Sequence, residues 1–245
     1  MNSVSMIGTP QQHQLSDRIS RLSLFPPSLI PSLEVWGLAL SPMTPPEKAE
    51  VQGILTQEEQ ERGGRYRQLK DQQHFSLRRA LLKVVLAREL SLEAKDLPLQ
   101  EDPYHKPQLG TDPHLQFNLS HTETHGIIAI HPNQAVGIDI ERVRPLEAWE
   151  SLLESFASPR EKEWVINVDR FFMLWTLKEA LLKYQGTGFL AERVPELDAL
   201  PEEIGAGIYK SKFQEAILYS ARWDEHWVTV CTSNKIKRGE ALNAE

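Results

Sequence analysis

Apolar and polar positions alternate from Ser32 to Leu40, the period of a strand with one buried face. Ser41-Pro-Met-Thr-Pro-Pro46 breaks that pattern, and Thr56-Gln-Glu-Glu59 has the spacing of a capping box that opens a helix. His74 to Leu90 is apolar on most sides at helical period, which predicts a long central helix. Its polar strip carries Ser76, Arg79 and Lys83, the last two one turn apart. Leu97 to Pro113 reads as Pro-rich loop, followed by short strands at Leu115–His121 and Gly126–His131 around a turn. A strand at Ala135–Arg142 and a helix at Glu147–Phe156 come next. Asp169 to Tyr184 is a strongly periodic helix, stopped by Gly186 and Gly188. Strand-like stretches close the pattern at Gly207–Phe213, Glu215–Arg222 and Trp227–Thr232. Each half offers a long helix and several short strands, which predicts an α+β fold. The expected organisation is a flexible leader over 1–33, halves over 34–132 and 133–233 meeting at Pro132-Asn133, and a polar tail over 234–245.

Composition narrows the setting. The 245 residues are 40% apolar and 25% charged, an ordinary globular balance. Cys231 is the single cysteine, which rules out an internal disulfide or a cysteine-based zinc cluster and suits a reducing compartment. Polar residues interrupt the N-terminus from Gln11 to Arg21, and no apolar run approaches the roughly 18–20 residues of a membrane span. A soluble, cytoplasmic protein is expected. The net charge of −7 argues against general nucleic-acid or membrane-surface binding. The charge is uneven, however: Arg62, Arg65, Arg67, Lys70, Arg78, Arg79, Lys83 and Arg88 face only Asp71 in that stretch. Either a discrete polyanionic ligand or a solvated helical face accounts for such a run.

Three segments carry chemistry. In Gly137-Ile-Asp-Ile-Glu141 the strand period puts Asp139 and Glu141 on one face, with Ile138 and Ile140 directed to the core. Adjacent carboxylates repel unless a cation lies between them, and oxygen-only ligands favour magnesium, calcium or manganese. An exposed polar strand face has the same pattern. On the helix Phe171–Lys183, Leu174, Leu177 and Leu181 form a buried stripe, and Glu179 lies nearly opposite, flanked by Trp175 and Lys183. Glu179 and Lys183 have the spacing of a surface ion pair, and equally of a third cation ligand beside a phosphate-binding lysine. In Phe117-Asn-Leu-Ser-His121, Ser120 and His121 stand where a strand enters a turn, within reach of a phosphate. No Gly-x-Ser-x-Gly elbow surrounds that serine, and His121 and His125 straddle a turn, not a helix face, which disfavours zinc. Gly186-Thr-Gly188 lacks the features of a dinucleotide loop.

Taken in order, Phe-Asn-Leu-Ser-His (117–121), Gly-Ile-Asp-Ile-Glu (137–141) and Trp-Thr-Leu-Lys-Glu-Ala-Leu-Leu-Lys (175–183) resemble the three motifs of 4'-phosphopantetheinyl transferases, in particular the monomeric surfactin-type group. Tyr104-His-Lys-Pro107 resembles that group's Gly-Lys-Pro segment, with His105 where the family has glycine. The resemblance runs from about Val35 to Phe189.

The resemblance implies two pseudo-symmetric α/β halves, each a long helix packed on a small antiparallel sheet. It implies transfer of phosphopantetheine from coenzyme A to a serine of an apo acyl or peptidyl carrier protein. Mg2+, or Mn2+, is then held by Asp139, Glu141 and Glu179 with the coenzyme's pyrophosphate, and Glu179 is the candidate base. Asp139 and Lys183 lie against the same phosphates, and Lys106, Pro107, Ser120 and His121 surround the adenosine and its 3'-phosphate. Arg62, Arg65 and Arg79 are further phosphate contacts, with Arg78 competing for the place of Arg79. A monomer is expected, using an apolar surface and the basic stretch to dock an acidic carrier. The rival readings are a metal-dependent phosphoesterase and a non-catalytic coenzyme A or carrier-binding module; retention of three acids and Lys183 speaks against the second.

Overall fold

Thr44-Pro-Pro-Glu47 nucleates the first helix, α1 (Pro45–Ile54): the Thr44 N–H donates to the Glu47 carboxylate at 2.6 Å, and Pro45 needs no intrahelical donor. Thr56 and Glu59 repeat the arrangement at the start of α2 (Gln57–Gly64), as the sequence predicts, with reciprocal bonds of 3.2 and 2.9 Å. The computed structural model describes residues 14–97, 99–101, 107–110, 115–186 and 194–233. The long helix α3 spans Leu69–Leu90 and begins five residues before the sequence pattern places it. Its N-terminal turn is polar, so hydrophobic periodicity starts late.

The chain divides into two units, the first comprising the described residues of Met1–Ser20 and Ala39–Leu97. Here α1, α2 and two 3-10 turns (Gln14–Arg18 and Ala94–Asp96) pack around α3. Lys83 is fully buried and donates to the Ile54 carbonyl at 3.0 Å and to Glu59 Oε2 at 3.2 Å, which joins the end of α1 to the start of α2. Arg18 pairs with Glu47 at 2.5 Å, and its hydrogen bond holds that carboxyl down at about 2. The second unit holds the described residues of Arg21–Leu38 and Pro98–Glu245.

Two expectations need correction. From residue 14 onward the expected leader is built into the fold: Leu15, Phe25 and Ile30 are buried, and Ile19–Arg21 forms strand β1. Its apolar residues are irregularly spaced among polar ones, so no period reports their burial. The two compact units are divided elsewhere than at 132/133, and β2 (Glu34–Ala39) pairs non-locally with β6 (His125–His131) within the second of them. The stretch read as Pro-rich loop contains a ribbon of β3 (Leu99–Glu101) and β4 (Pro107–Leu109).

In the second unit, β5 (Gln116–His121) completes a sheet of order β1-β2-β6-β5. A five-stranded antiparallel sheet contains β7 (Val136–Arg142), β8 (Ala199–Gly205), β9 (Ile208–Phe213), β10 (Ala216–Trp223) and β11 (His226–Ser233) in the order β7-β11-β10-β9-β8. Strand alternation separates its two faces. Ile138, Ile140, Val228 and Val230 share a core with Ile127 and Ala129 of β6. Leu218, Trp227 and Cys231 share another with the helices α4 (Trp149–Phe156) and α6 (Val168–Gln185). Between those helices, α5 (Pro159–Trp164) is opened by the Ser158–Glu161 capping box. Mixed helices and antiparallel sheets make the protein α+β, the class its periodicities predict.

Candidate active site

Gly137 decides how closely α6 approaches β7. A Cβ at this position would overlap the Ala180 carbonyl and lie 2.6 Å from the Tyr184 nitrogen, so only glycine admits the contact. The same alternation then aims Asp139 and Glu141 at α6, while the neighbouring hydroxyls of Thr229 and Thr176 meet at 2.9 Å between sheet and helix. Asn167 caps the helix by accepting from the Arg170 N–H, and Gly186 ends it in the left-handed region at φ 74°. Gly188 lies outside the described residues.

At the centre Lys183 Nζ donates to Asp139 Oδ1 at 2.7 Å, to Ser120 Oγ at 2.8 Å and to the Ile138 carbonyl at 3.3 Å. Ser120 Oγ in turn donates to Asp139 Oδ1 at 2.7 Å, so lysine, serine and carboxylate close a triangle. The Asp139 side chain is 5% exposed, and its Oδ2 is buried without a hydrogen-bond partner among the described residues. Glu141 is pushed above the usual carboxylate range by burial first and then by the charge of Asp139, with Arg144 at 3.5 Å opposing. Glu179 is raised to about 7, by burial first, then by Asp139, and more weakly by Glu141, against the opposing charge of Lys183.

Ser120, Asp139, Glu141, Glu179 and Lys183 thus share one electrostatic neighbourhood. Among the described residues no three His, Cys, Asp or Glu side chains form a metal centre by themselves. The donor chemistry nevertheless suits a hard cation: one orphaned carboxylate oxygen stands beside two acids that lack enough positive charge to ionise readily. Lys183 has left the surface pairing that its spacing to Glu179 suggests, for the deeper partner Asp139. Trp175, read from the sequence as lying on the exposed side, is half-buried against Phe156 and Phe171 at ring distances of 5.2 and 6.1 Å.

The remaining candidates come from other segments of the chain. His121 ends β5 exposed, on the face opposite Ser120, and Pro107 opens β4 in a separate ribbon. Lys106 falls outside the described residues. Arg62, Arg65 and Arg79 belong to the first unit. There Arg62 and Arg79 flank the Phe75 ring at 5.3 and 5.7 Å, Arg79 is 3.6 Å from Glu59, and Arg65 is exposed at the end of α2. Sequence reasoning passed over Asn118, whose buried side chain accepts from the Ile138 N–H at 3.4 Å and links β5 to the strand of Asp139. Its place in Phe-Asn-Leu-Ser-His is the signal that could have found it.

The family models agree with this arrangement of motifs. Residues 135–231 match the 4'-phosphopantetheinyl transferase superfamily, and residues 31–133 match the 4'-phosphopantetheinyl transferase N-terminal model. HetI, a 4'-phosphopantetheinyl transferase of Nostoc sp., is 30% identical over 66% of this chain and 73% of its own length. The Synechocystis protein slr0495, described as a 4'-phosphopantetheinyl transferase, is 26% identical over 87% of this chain and 92% of its own. Sfp of Bacillus subtilis, another such transferase, is 26% identical over 64% of this chain and 71% of its own. No described helix is long and apolar enough to cross a membrane. By motif order, by two family models and by its relatives, the chain belongs to the 4'-phosphopantetheinyl transferase superfamily of enzymes.

Proposed function

We propose that the protein transfers 4'-phosphopantetheine from coenzyme A to a serine of an apo carrier protein, releasing holo-carrier and adenosine 3',5'-bisphosphate. The observation that carries this reading is the buried Ser120–Asp139–Lys183 triangle with Glu141 and Glu179 beside it, in a chain of this family. Asp139, Glu141 and Glu179 are the proposed holders of Mg2+, or Mn2+ in its place. When bound, the ion withdraws charge from the diphosphate as a Lewis acid.

The protein's own groups supply the rest. Lys183 offers an ammonium to the phosphates as a point charge. Glu179 takes the proton of the carrier's serine hydroxyl as its oxygen bonds to the β-phosphorus, and the bridging P–O bond to the departing nucleotide breaks. Burial and the charge of Asp139 hold the Glu179 carboxyl up at about 7 in the metal-free protein, and a bound cation shifts it toward the ionised form that accepts a proton. Burial of Asp139 and Ser120 keeps the site poor in water, where fixed charges act strongly. Lys106, Pro107, Ser120 and His121, with Arg62, Arg65 and Arg79, are the proposed contacts to the adenosine and its 3'-phosphate.

Purified protein with Mg2+ and coenzyme A should add the mass of phosphopantetheine to an apo fatty-acid, polyketide or peptide carrier. Carriers unchanged in mass across all three classes would refute the assignment. Release of free phosphopantetheine without a modified carrier would identify a phosphoesterase instead.

A further inference from the structure

A carboxylate as deeply buried as Asp139 needs a counter-charge, and the fold supplies one internally. Lys183 has three ammonium donors, and all three are spent on strands β5 and β7: one on Ser120, one on Asp139 and one on the Ile138 carbonyl. The lysine is therefore held on Oδ1, while Oδ2 stays buried without a partner among the described residues. A divalent cation approaching Oδ2 meets an ammonium across the width of one carboxyl group. Partial burial weakens the screening that water would give to that repulsion.

We infer that Lys183 is an internal counterion of Asp139 that weakens binding of a free divalent cation and makes tight binding depend on the phosphate ligand. This inference rests on the reading of Asp139, Glu141 and Glu179 as the cation's holders. A diphosphate gives the ammonium a second anionic partner. Lys183 then turns part of its charge from the carboxylate to the phosphate, and Asp139 becomes free to face the cation with both oxygens. Cation and diphosphate so bind with positive coupling, and by linkage each tightens the other equally. The lysine side chain is 27% exposed, so its ammonium has room to move toward a ligand without unpacking α6.

Mn2+ binding followed by electron paramagnetic resonance tests this without any turnover. The comparison is wild-type protein against Lys183→Met and Lys183→Gln, each with and without coenzyme A. Glutamine keeps a donor to Ser120 without the charge, which guards against a folding defect in the methionine variant. Without coenzyme A, both variants should bind Mn2+ about tenfold more tightly than wild type. Addition of coenzyme A should tighten Mn2+ binding in wild type and have a smaller effect in the variants. Variants that bind Mn2+ no more tightly than wild type, or show no binding at all, would overturn the counterion role. Failure of the transferase reading would appear separately, as wild-type protein that binds Mn2+ yet leaves every apo carrier unmodified. The comparison of affinities would still decide the role of Lys183.

Discussion

At the scale of single residues the site is governed by charge that is not fully compensated. Asp139→Ala removes the carboxylate bonded to both Ser120 and Lys183. It should lower transfer by at least about 10²–10³-fold, the size of effect seen when one fixed charge-stabilising group is lost. Carrier mass spectrometry measures the loss, and far-UV circular dichroism should show an unchanged fold. Glu179→Gln should cost roughly 10²–10⁴-fold in rate by removing the base. The same variant should also stabilise the ligand-free protein. Glu179 holds its proton up to about pH 7, whereas an unfolded glutamate loses it near 4.5. Ionisation in the unfolded chain therefore erodes stability as pH rises from 4.5 through 7, and glutamine has no proton to lose. At pH 8 the variant should be more stable by about 1–2 kcal/mol, a figure reduced for the partial exposure of Glu179, and at pH 4 the two should be equal. Urea melts at the two pH values measure this. A wild type equal to or more stable than the variant at pH 8 would contradict it.

At the scale of elements, α6 and β7 form the frame of the site, and their close approach depends on Gly137. Gly137→Ala must push the helix away from the strand and should destabilise the protein by about 1–3 kcal/mol, with loss of transfer even though no catalytic group has changed. Denaturant midpoints and carrier modification report the two effects. The motif strand and helix were legible in the sequence because alternation at 136–142 and helical period at 169–184 are strong local signals. What the sequence hid is non-local. Helical spacing cannot show that Lys183 turns to a carboxylate on another element, since pairing depends on which strand lies beneath the helix. Lys178 is a similar case: it is fully buried and paired with Glu161 of α5, a contact invisible in either segment alone. Helices α1 and α5 are a different matter. Thr44-Pro-Pro-Glu47 and Ser158-Pro-Arg-Glu161 both carry a capping box with proline at the first helical position, and the signal was available in each.

At the scale of the whole molecule, two buried histidines work against stability on the acid side. His131 presents Nδ1 to the N–H groups of Asn133 and Gln134 at 3.2 and 3.0 Å, and Nε2 lies 3.0 Å from the Pro31 carbonyl. Its surroundings thus select the neutral tautomer with the proton on Nε2, and burial holds its pKa below the usual histidine value. His226 is buried beside His125 and Trp223, and burial, followed by the charge of His125, lowers it too. Both groups contribute stability above pH 6.5 that is lost as pH falls, because the unfolded chain takes up protons there that the folded one resists. This loss below about pH 6.5 opposes the gain that Glu179 gives over the same range, and His226→Phe should lose less stability than wild type when both are melted side by side as pH falls. A variant as pH-sensitive as wild type would show that His226 plays no part.

The claim on which the rest depends is that Asp139, Glu141 and Glu179 surround one divalent cation that grips a diphosphate. A crystal of the protein grown with coenzyme A and Mn2+, measured for manganese anomalous scattering, tests it most directly. One strong peak is expected within coordination reach of oxygens from all three acids and of the coenzyme's diphosphate, with Lys183 against the phosphates. A manganese peak elsewhere, or a diphosphate bound away from these residues, would contradict it.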